Sequence, residues 1–191
     1  LADHAEGVVL LTGCRQGELS TLAASGRMEE AEGVLRGYRD WFGAESVFVE
    51  LQQNLVQGDT VRTRGLIGLA RKLDVGIVAT NNVHYHVPER HRLQDVLVAV
   101  RHNKSLEETH RERRPNANFY LKSPAEMADL FRDSPEAIES SMRIADRCGF
   151  DLTRHLGYRF PDYPVPDGHT PESHLREMCY QAAMRRYGGI T

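Results

Sequence analysis

Three short apolar runs in this 191-residue chain end in side chains that can hold metal ions. Cys14 follows Val8-Val9-Leu10-Leu11-Thr12-Gly13. Glu50 and Gln52 close the alternating run 46–52. Asn82, His84 and His86 follow the run 75–79 through Thr80 and Asn81. Side chains of an extended segment repeat every second residue, so Asn82, His84 and His86 can face one way. A thiolate, an imidazole and a carboxylate or amide oxygen would together suit zinc or a harder cation. The same residues also permit Cys14 as nucleophile with His84 as its base, and spacing alone gives that reading no advantage over metal binding. Each also has an ordinary reading. Cys14 fits a small buried side chain, and His84 a loop hydrogen bond. His86 points to solvent, and Glu50 is solvated or salt-bridged on the polar face of its strand. Cys148 and Cys179 fill core positions on amphipathic helices.

The elements that must position these residues follow from hydrophobic period. Residues 8–11, 46–52 and 75–79 read as strands. Between them, 18–25, 28–42 and 59–72 read as helices, the last with Val61, Leu66, Leu69 and Ala70 on its apolar side. A βαβαβ order with helical crossovers makes the sheet parallel, with the candidate ligands at one edge, beyond the strands' carboxyl ends. Three strands are too few to close a barrel. Residues 89–102 read as a helix with Leu93, Val96, Leu97 and Val100 inward. Residues 103–118 read as an exposed polar loop, in which Arg111, Arg113 and Arg114 form a local basic patch, and Phe119-Tyr120-Leu121-Lys122 as a short extended segment. Asp59 or Thr60 can cap the helix at 59–72. Ser123-Pro124-Ala125-Glu126 and Ser134-Pro135-Glu136 are helix starts, and Thr170-Pro171-Glu172 opens a last helix to about Tyr187. Residues 157–168, rich in proline, form an extended connector.

Composition narrows the classes. The net charge of −3 gives no overall basic footprint for nucleic acid. The 3 cysteines are too scattered for a disulfide framework, which favours a reducing, cytoplasmic setting. No apolar run reaches the length of a membrane span. Leu1 opens the chain without Met and Gly188-Gly189-Ile190-Thr191 closes it after a helical pattern, so a piece of a longer protein is expected.

Three strings carry a resemblance. Leu11-Thr-Gly-Cys14-Arg-Gln-Gly-Glu18, Val49-Glu50-Leu51-Gln52 and Val78-Ala-Thr-Asn-Asn-Val-His-Tyr85 resemble the second half of the PHP (polymerase and histidinol phosphatase) domain of bacterial C-family DNA polymerases. That family comprises the alpha subunit of DNA polymerase III and its error-prone paralogue. Arg92 to His102, Phe119-Tyr-Leu-Lys-Ser-Pro-Ala-Glu-Met127 and Phe160-Pro-Asp-Tyr-Pro-Val-Pro-Asp-Gly-His-Thr-Pro171 resemble the run from that domain towards the polymerase palm. The wording of Val83-His-Tyr-His-Val-Pro88 and of Pro164-Val-Pro-Asp-Gly168 leans towards the error-prone paralogue.

The resemblance implies an α/β fold, part of a PHP-type (β/α)7 barrel with parallel strands, followed by a mainly helical segment. Residues 1–155 would be the carboxyl-terminal part of the PHP domain with trailing helices. Residues 156–191 would be the connector and first helix of the palm. The implied metal residues are Cys14, Asn82 and His84, holding zinc or manganese in the full-length protein. The magnesium ions of nucleotidyl transfer would lie outside this segment. The implied activity is DNA synthesis, replicative or in error-prone repair, with DNA, deoxynucleoside triphosphates, a sliding clamp and other replisome or repair subunits as partners. Where the PHP site is intact, its metals support a 3′–5′ exonuclease. The family pattern has an acid where this chain has Asn82. A neutral amide binds a cation more weakly, which favours a structural role. The segment alone is expected to be inactive. A stand-alone PHP phosphoesterase is the first rival, opposed by the 119–127 and 160–171 strings. A non-catalytic scaffold is the second, and Asn82 suits it.

Overall fold

β-Branched residues at 47–52 and 76–80 and a leucine pair at 10–11 form one three-stranded sheet. The computed structural model describes residues 2–158 and 161–188. Leu1, Arg159 (within the 157–168 connector), Phe160 (which opens the 160–171 string), Gly189, Ile190 and Thr191 lie outside the described residues. The chain divides into two compact units, Leu1–Cys148 and Gly149–Thr191. The resemblance puts a domain boundary at 155/156.

In the first unit, β1 (Leu10–Leu11), β2 (Val47–Gln52) and β3 (Gly76–Thr80) are all parallel, as the βαβαβ pattern predicts, and the structure sets their order as β1-β2-β3. The crossovers are α1 (Glu18–Ala24) with α2 (Met28–Phe42), and α3 (Asp59–Lys72). Val8, expected in the first strand, is exposed and precedes it.

The register separates the sheet's two faces. Val49 pairs with Ile77 and Leu51 with Ala79, and these residues join Leu19, Leu35, Leu66 and Leu69 in one hydrophobic core. Phe48, Glu50 and Gln52 pair with Gly76, Val78 and Thr80 and alternate onto the opposite face. Phe48 and Gln52 are buried there as well, so β2 is covered on both sides, as parallel strands are.

Gly76 has a packing reason to be glycine. A Cβ at this position would meet the Phe48 ring at 2.8 Å. Gly76→Ala should therefore destabilise the unit by about 1–3 kcal/mol, the usual cost of overpacking. Urea unfolding would show it, and Gly76→Ala combined with Phe48→Leu should recover part of the loss.

After β3 come a 3₁₀ turn (Pro88–Arg90), α4 (His91–His102), α5 (Pro124–Leu130) and α6 (Pro135–Arg147). Ser123 caps α5 in a full capping box with Glu126, as its sequence predicts. Ser134 opens α6 without a side-chain cap bond. Three expectations fail. The apolar residues of α4 do not face inward: Leu93, Val96, Leu97 and Val100 are 51%, 43%, 54% and 71% exposed, and Ala99 is the buried residue of that helix. A 3.6-residue period marks an apolar stripe but does not say whether a partner covers it. Val61 of α3 is likewise 75% exposed. Cys148 and Cys179 are exposed rather than core.

The second unit holds α7 (Leu152–His155), a short helix that the sequence pattern missed, and α8 (Pro171–Tyr187). Asp151 caps α7, and Thr170 caps α8 in a capping box with Ser173. No helix among the described residues is long and apolar enough to cross a membrane.

Candidate functional site at the strand ends

Glu50 organises the carboxyl edge of the sheet. Its Oε2 accepts from the Gly13 backbone N–H at 3.1 Å. Its Oε1 accepts from Gln52 Nε2 at 2.8 Å and from the Thr80 hydroxyl. The Glu50 N–H donates to Thr12 Oγ1 at 3.0 Å, and Gln52 Nε2 also reaches Thr80 Oγ1 at 3.2 Å. One carboxylate thus ties the ends of all three strands. This corrects the solvated or salt-bridged reading of Glu50: its partners here are neutral donors. The signal was present in the two-residue spacing of Glu50 and Gln52, which puts both on one face.

A ring of asparagines extends the edge. Asn54 Nδ2 donates to the Asn81 carbonyl at 3.0 Å, to Asn81 Oδ1 at 3.2 Å and to the Asn118 carbonyl at 3.2 Å. Asn81 Nδ2 donates to the Tyr120 carbonyl at 2.6 Å, and Asn116 Nδ2 to the Asn54 carbonyl at 2.9 Å. Asp59 Oδ2 accepts from the backbone N–H groups of Asn54 and Val56 at 2.9 and 3.0 Å, and its Oδ1 takes a 2.8 Å bond from buried Arg62. Asp59 therefore does not cap α3: it pins the loop that follows β2.

These asparagines dock residues 116–120, so the reading of 103–118 as an exposed loop holds for 103–108, 110 and 111, which are exposed, and not for its end. Thr109 and Phe119 are fully buried. The His84 N–H donates to the Phe119 carbonyl at 2.8 Å, and the Leu121 N–H to the Tyr85 carbonyl at 3.0 Å. Two of its basic residues are engaged at short range. Arg113 pairs with Asp95 at 3.0 Å, and the Arg114 guanidinium lies 5.2 Å from the centre of the Phe119 ring.

The expected metal residues stand around this edge with different surroundings. Cys14 is half-buried and free of any disulfide. Asn82 holds φ +47°, a left-handed conformation that asparagine tolerates, and its Nδ2 is buried without a partner. His84 Nε2 lies 2.7 Å from Arg114 Nη2. A guanidinium only donates, so Nε2 accepts and the imidazole proton sits on Nδ1. Burial, and secondarily the Arg114 charge, hold the His84 pKa below its ordinary value, which keeps the ring neutral. His86 is exposed, as expected.

The fit to a metal is poor as these groups stand. The Nε2 lone pair of His84 is committed to Arg114, whose positive charge would repel a cation there. Each oxygen of Glu50 already accepts a hydrogen bond, and an amide N–H₂, a donor, is the buried orphan at Asn82. Among the described residues, neither Cys14 nor His84 belongs to any group of three His, Cys, Asp or Glu ligand atoms lying within 4.8 Å of one another. The arrangement is chemically a hydrogen-bonded latch.

No protein-family model matches the chain. It is similar to curated proteins along its whole length. It is 36% identical over 193 aligned residues, covering 100% of this chain, to the error-prone DNA polymerase of Symbiobacterium thermophilum. It is 38% identical over 185, covering 94%, to that of Nocardia farcinica. It is 34% identical over 192, covering 100%, to the DNA polymerase III subunit alpha of Treponema pallidum. The chain spans only 16–17% of the length of these relatives.

Proposed function

We propose that this chain, homologous over its whole length to one segment of the error-prone DNA polymerases and DNA polymerase III alpha subunits, serves as that segment in a bacterial C-family polymerase. The protein that carries it synthesises DNA from deoxynucleoside triphosphates with magnesium at a site elsewhere in its length. DNA, a sliding clamp and other replisome or repair subunits are its partners. The lean to the error-prone branch rests on the Val-His-Tyr-His-Val-Pro and Pro-Val-Pro-Asp-Gly wording. Residues 1–155 form part of a PHP-type barrel, and 156–191 lead towards the palm.

Within that protein the strand-end region braces the polymerase and does not cut DNA. The observation that carries this is the commitment of Glu50 and His84 to neighbouring side chains, together with the neutral Asn82. A ligating imidazole keeps one ring nitrogen's lone pair for the metal, and that of His84 Nε2 is turned to the Arg114 guanidinium.

The test uses the polymerase that contains this segment. Primer extension should depend on magnesium. Loss of extension on removing the segment, with soluble protein retained, fits the bracing role. A protein that cannot extend a primed template at all would refute the polymerase reading. On a mismatched primer end, the native Asn82 form should show no metal-dependent exonuclease. Degradation by the native form at a rate no lower than that of the Asn82→Asp variant would overturn the bracing role alone.

A further inference from the structure

A different group of ligand atoms meets in the second unit. His169, His174 and Glu177 each offer one metal-binding atom, and these atoms all lie within 4.8 Å of one another. His169 Nε2 is 3.8 Å from Glu177 Oε2. Tetrahedral zinc with bonds near 2.0–2.1 Å needs ligand atoms about 3.4 Å apart, so small side-chain rotations suffice to close the set.

The local sequence builds this arrangement. His174 and Glu177 stand three residues apart on α8 and share a face. His169 is brought to them by two devices. The turn at Pro166-Asp167-Gly168 closes with a bond from the His169 N–H to the Pro166 carbonyl at 3.1 Å, and Gly168 takes φ +86°. The capping box then fixes Thr170 against Ser173, with the Thr170 N–H to Ser173 Oγ at 2.9 Å.

The supporting shell is also present. Ser173 Oγ lies 3.4 Å from His169 Nδ1, which leaves Nε2 turned towards Glu177. Gln181 Nε2 donates to Glu177 Oε1 at 3.2 Å, leaving Oε2 for the cation. The Tyr163 ring stacks on His174 at 6.0 Å with an interplanar angle of 22°. A metal-binding imidazole characteristically has its second nitrogen engaged and its ring held, and a ligating carboxylate has its other oxygen bonded.

We infer that His169, His174 and Glu177 form a surface site for a zinc-class divalent cation, with water in the fourth position. Two imidazoles and one carboxylate are a zinc donor set and a poor one for magnesium or calcium, which prefer oxygen. The helix start opposes a cation, and the Glu177 carboxylate offsets that opposition. Binding would staple the turn at 166–169 to the first two turns of α8. The sequence signal is His-x4-His-x2-Glu across a helix start.

Cobalt(II), the spectroscopic stand-in for zinc, tests this on the metal-stripped 191-residue chain. One equivalent should give a visible d–d band of tetrahedral intensity, displaced by zinc and without the near-ultraviolet band of a cobalt–thiolate bond. His169→Ala and His174→Ala should each weaken binding by at least about tenfold. Cys14→Ser and His84→Ala should leave it unchanged. Far-ultraviolet circular dichroism checks that the variants keep their helices, and Glu177→Gln, which preserves shape, gives an independent loss. The assignment is overturned if no band forms, if the His169→Ala/His174→Ala double variant binds as the native chain does, or if the thiolate band dominates.

Discussion

Phe119→Ala should lower the unfolding free energy of the first unit by about 3–5 kcal/mol, the range for deleting a fully buried aromatic ring. The ring is 0% exposed. It meets His84 edge-on at 6.1 Å and lies beneath the Arg114 guanidinium. Its removal leaves a cavity and also frees two polar neighbours from their packing. The backbone bonds of Phe119 to His84 and Tyr85 then have no ring holding them in place. The docked segment should loosen first. Amide exchange at Tyr85 and Leu121 should accelerate before the sheet does, because that attachment is local and the sheet core is not. Urea unfolding with Phe119→Leu as the milder comparison gives the magnitude. A loss below about 1 kcal/mol for the alanine variant would mean that the segment is not anchored by this ring.

Asp59→Ala should cost a similar amount, about 3–5 kcal/mol. Asp59 and Arg62 are 2% and 6% exposed at the side chain, and they meet at 2.8 Å. Truncating Asp59 leaves a guanidinium buried without its counter-charge. It also strands the Asn54 and Val56 N–H groups that bond to Oδ2. Arg62 keeps only its bond to the Gln52 carbonyl at 3.2 Å. A double-mutant cycle separates the two contributions. Replacing both residues together, Asp59→Leu with Arg62→Met, should recover much of the loss, since a buried ion pair is often no more stable than a well-packed apolar one. What remains after that recovery measures the two backbone donors. Additive losses from the two single replacements would show that the pair is not coupled.

The two expectations concern side chains that link the strand ends to later chain, and neither was evident from pattern alone. Phe119 read as part of a short extended piece, and Asp59 as a helix cap. Both readings follow local rules that are sound. Helix starts favour aspartate, but a buried arginine one turn on and two free N–H groups upstream offered Asp59 better partners. The same competition explains Glu50. Alternation put it on the polar face of β2, correctly, and only the neighbouring ends of β1 and β3 decided that its oxygens would be filled by Gly13, Gln52 and Thr80.

What the sequence determined by itself was much of what depends on short range. Apolar runs separated by helical periods dictated three parallel strands with their candidate ligands at one edge. Ser123 and Thr170 capped the helices their spacing announced, because capping needs only residues three apart. The resemblance strings identified the relatives. Tertiary structure decided what depends on who arrives opposite. It put Arg114 on the Nε2 of His84, left the α4 stripe of Leu93, Val96, Leu97 and Val100 exposed, and drew residues 116–120 onto the asparagines at the strand ends. Periodicity says which side of an element is apolar or polar. The lone pair, charge or ring that meets that side comes from tens of residues away, so only the folded chain fixes whether a ligand-type residue is free to bind.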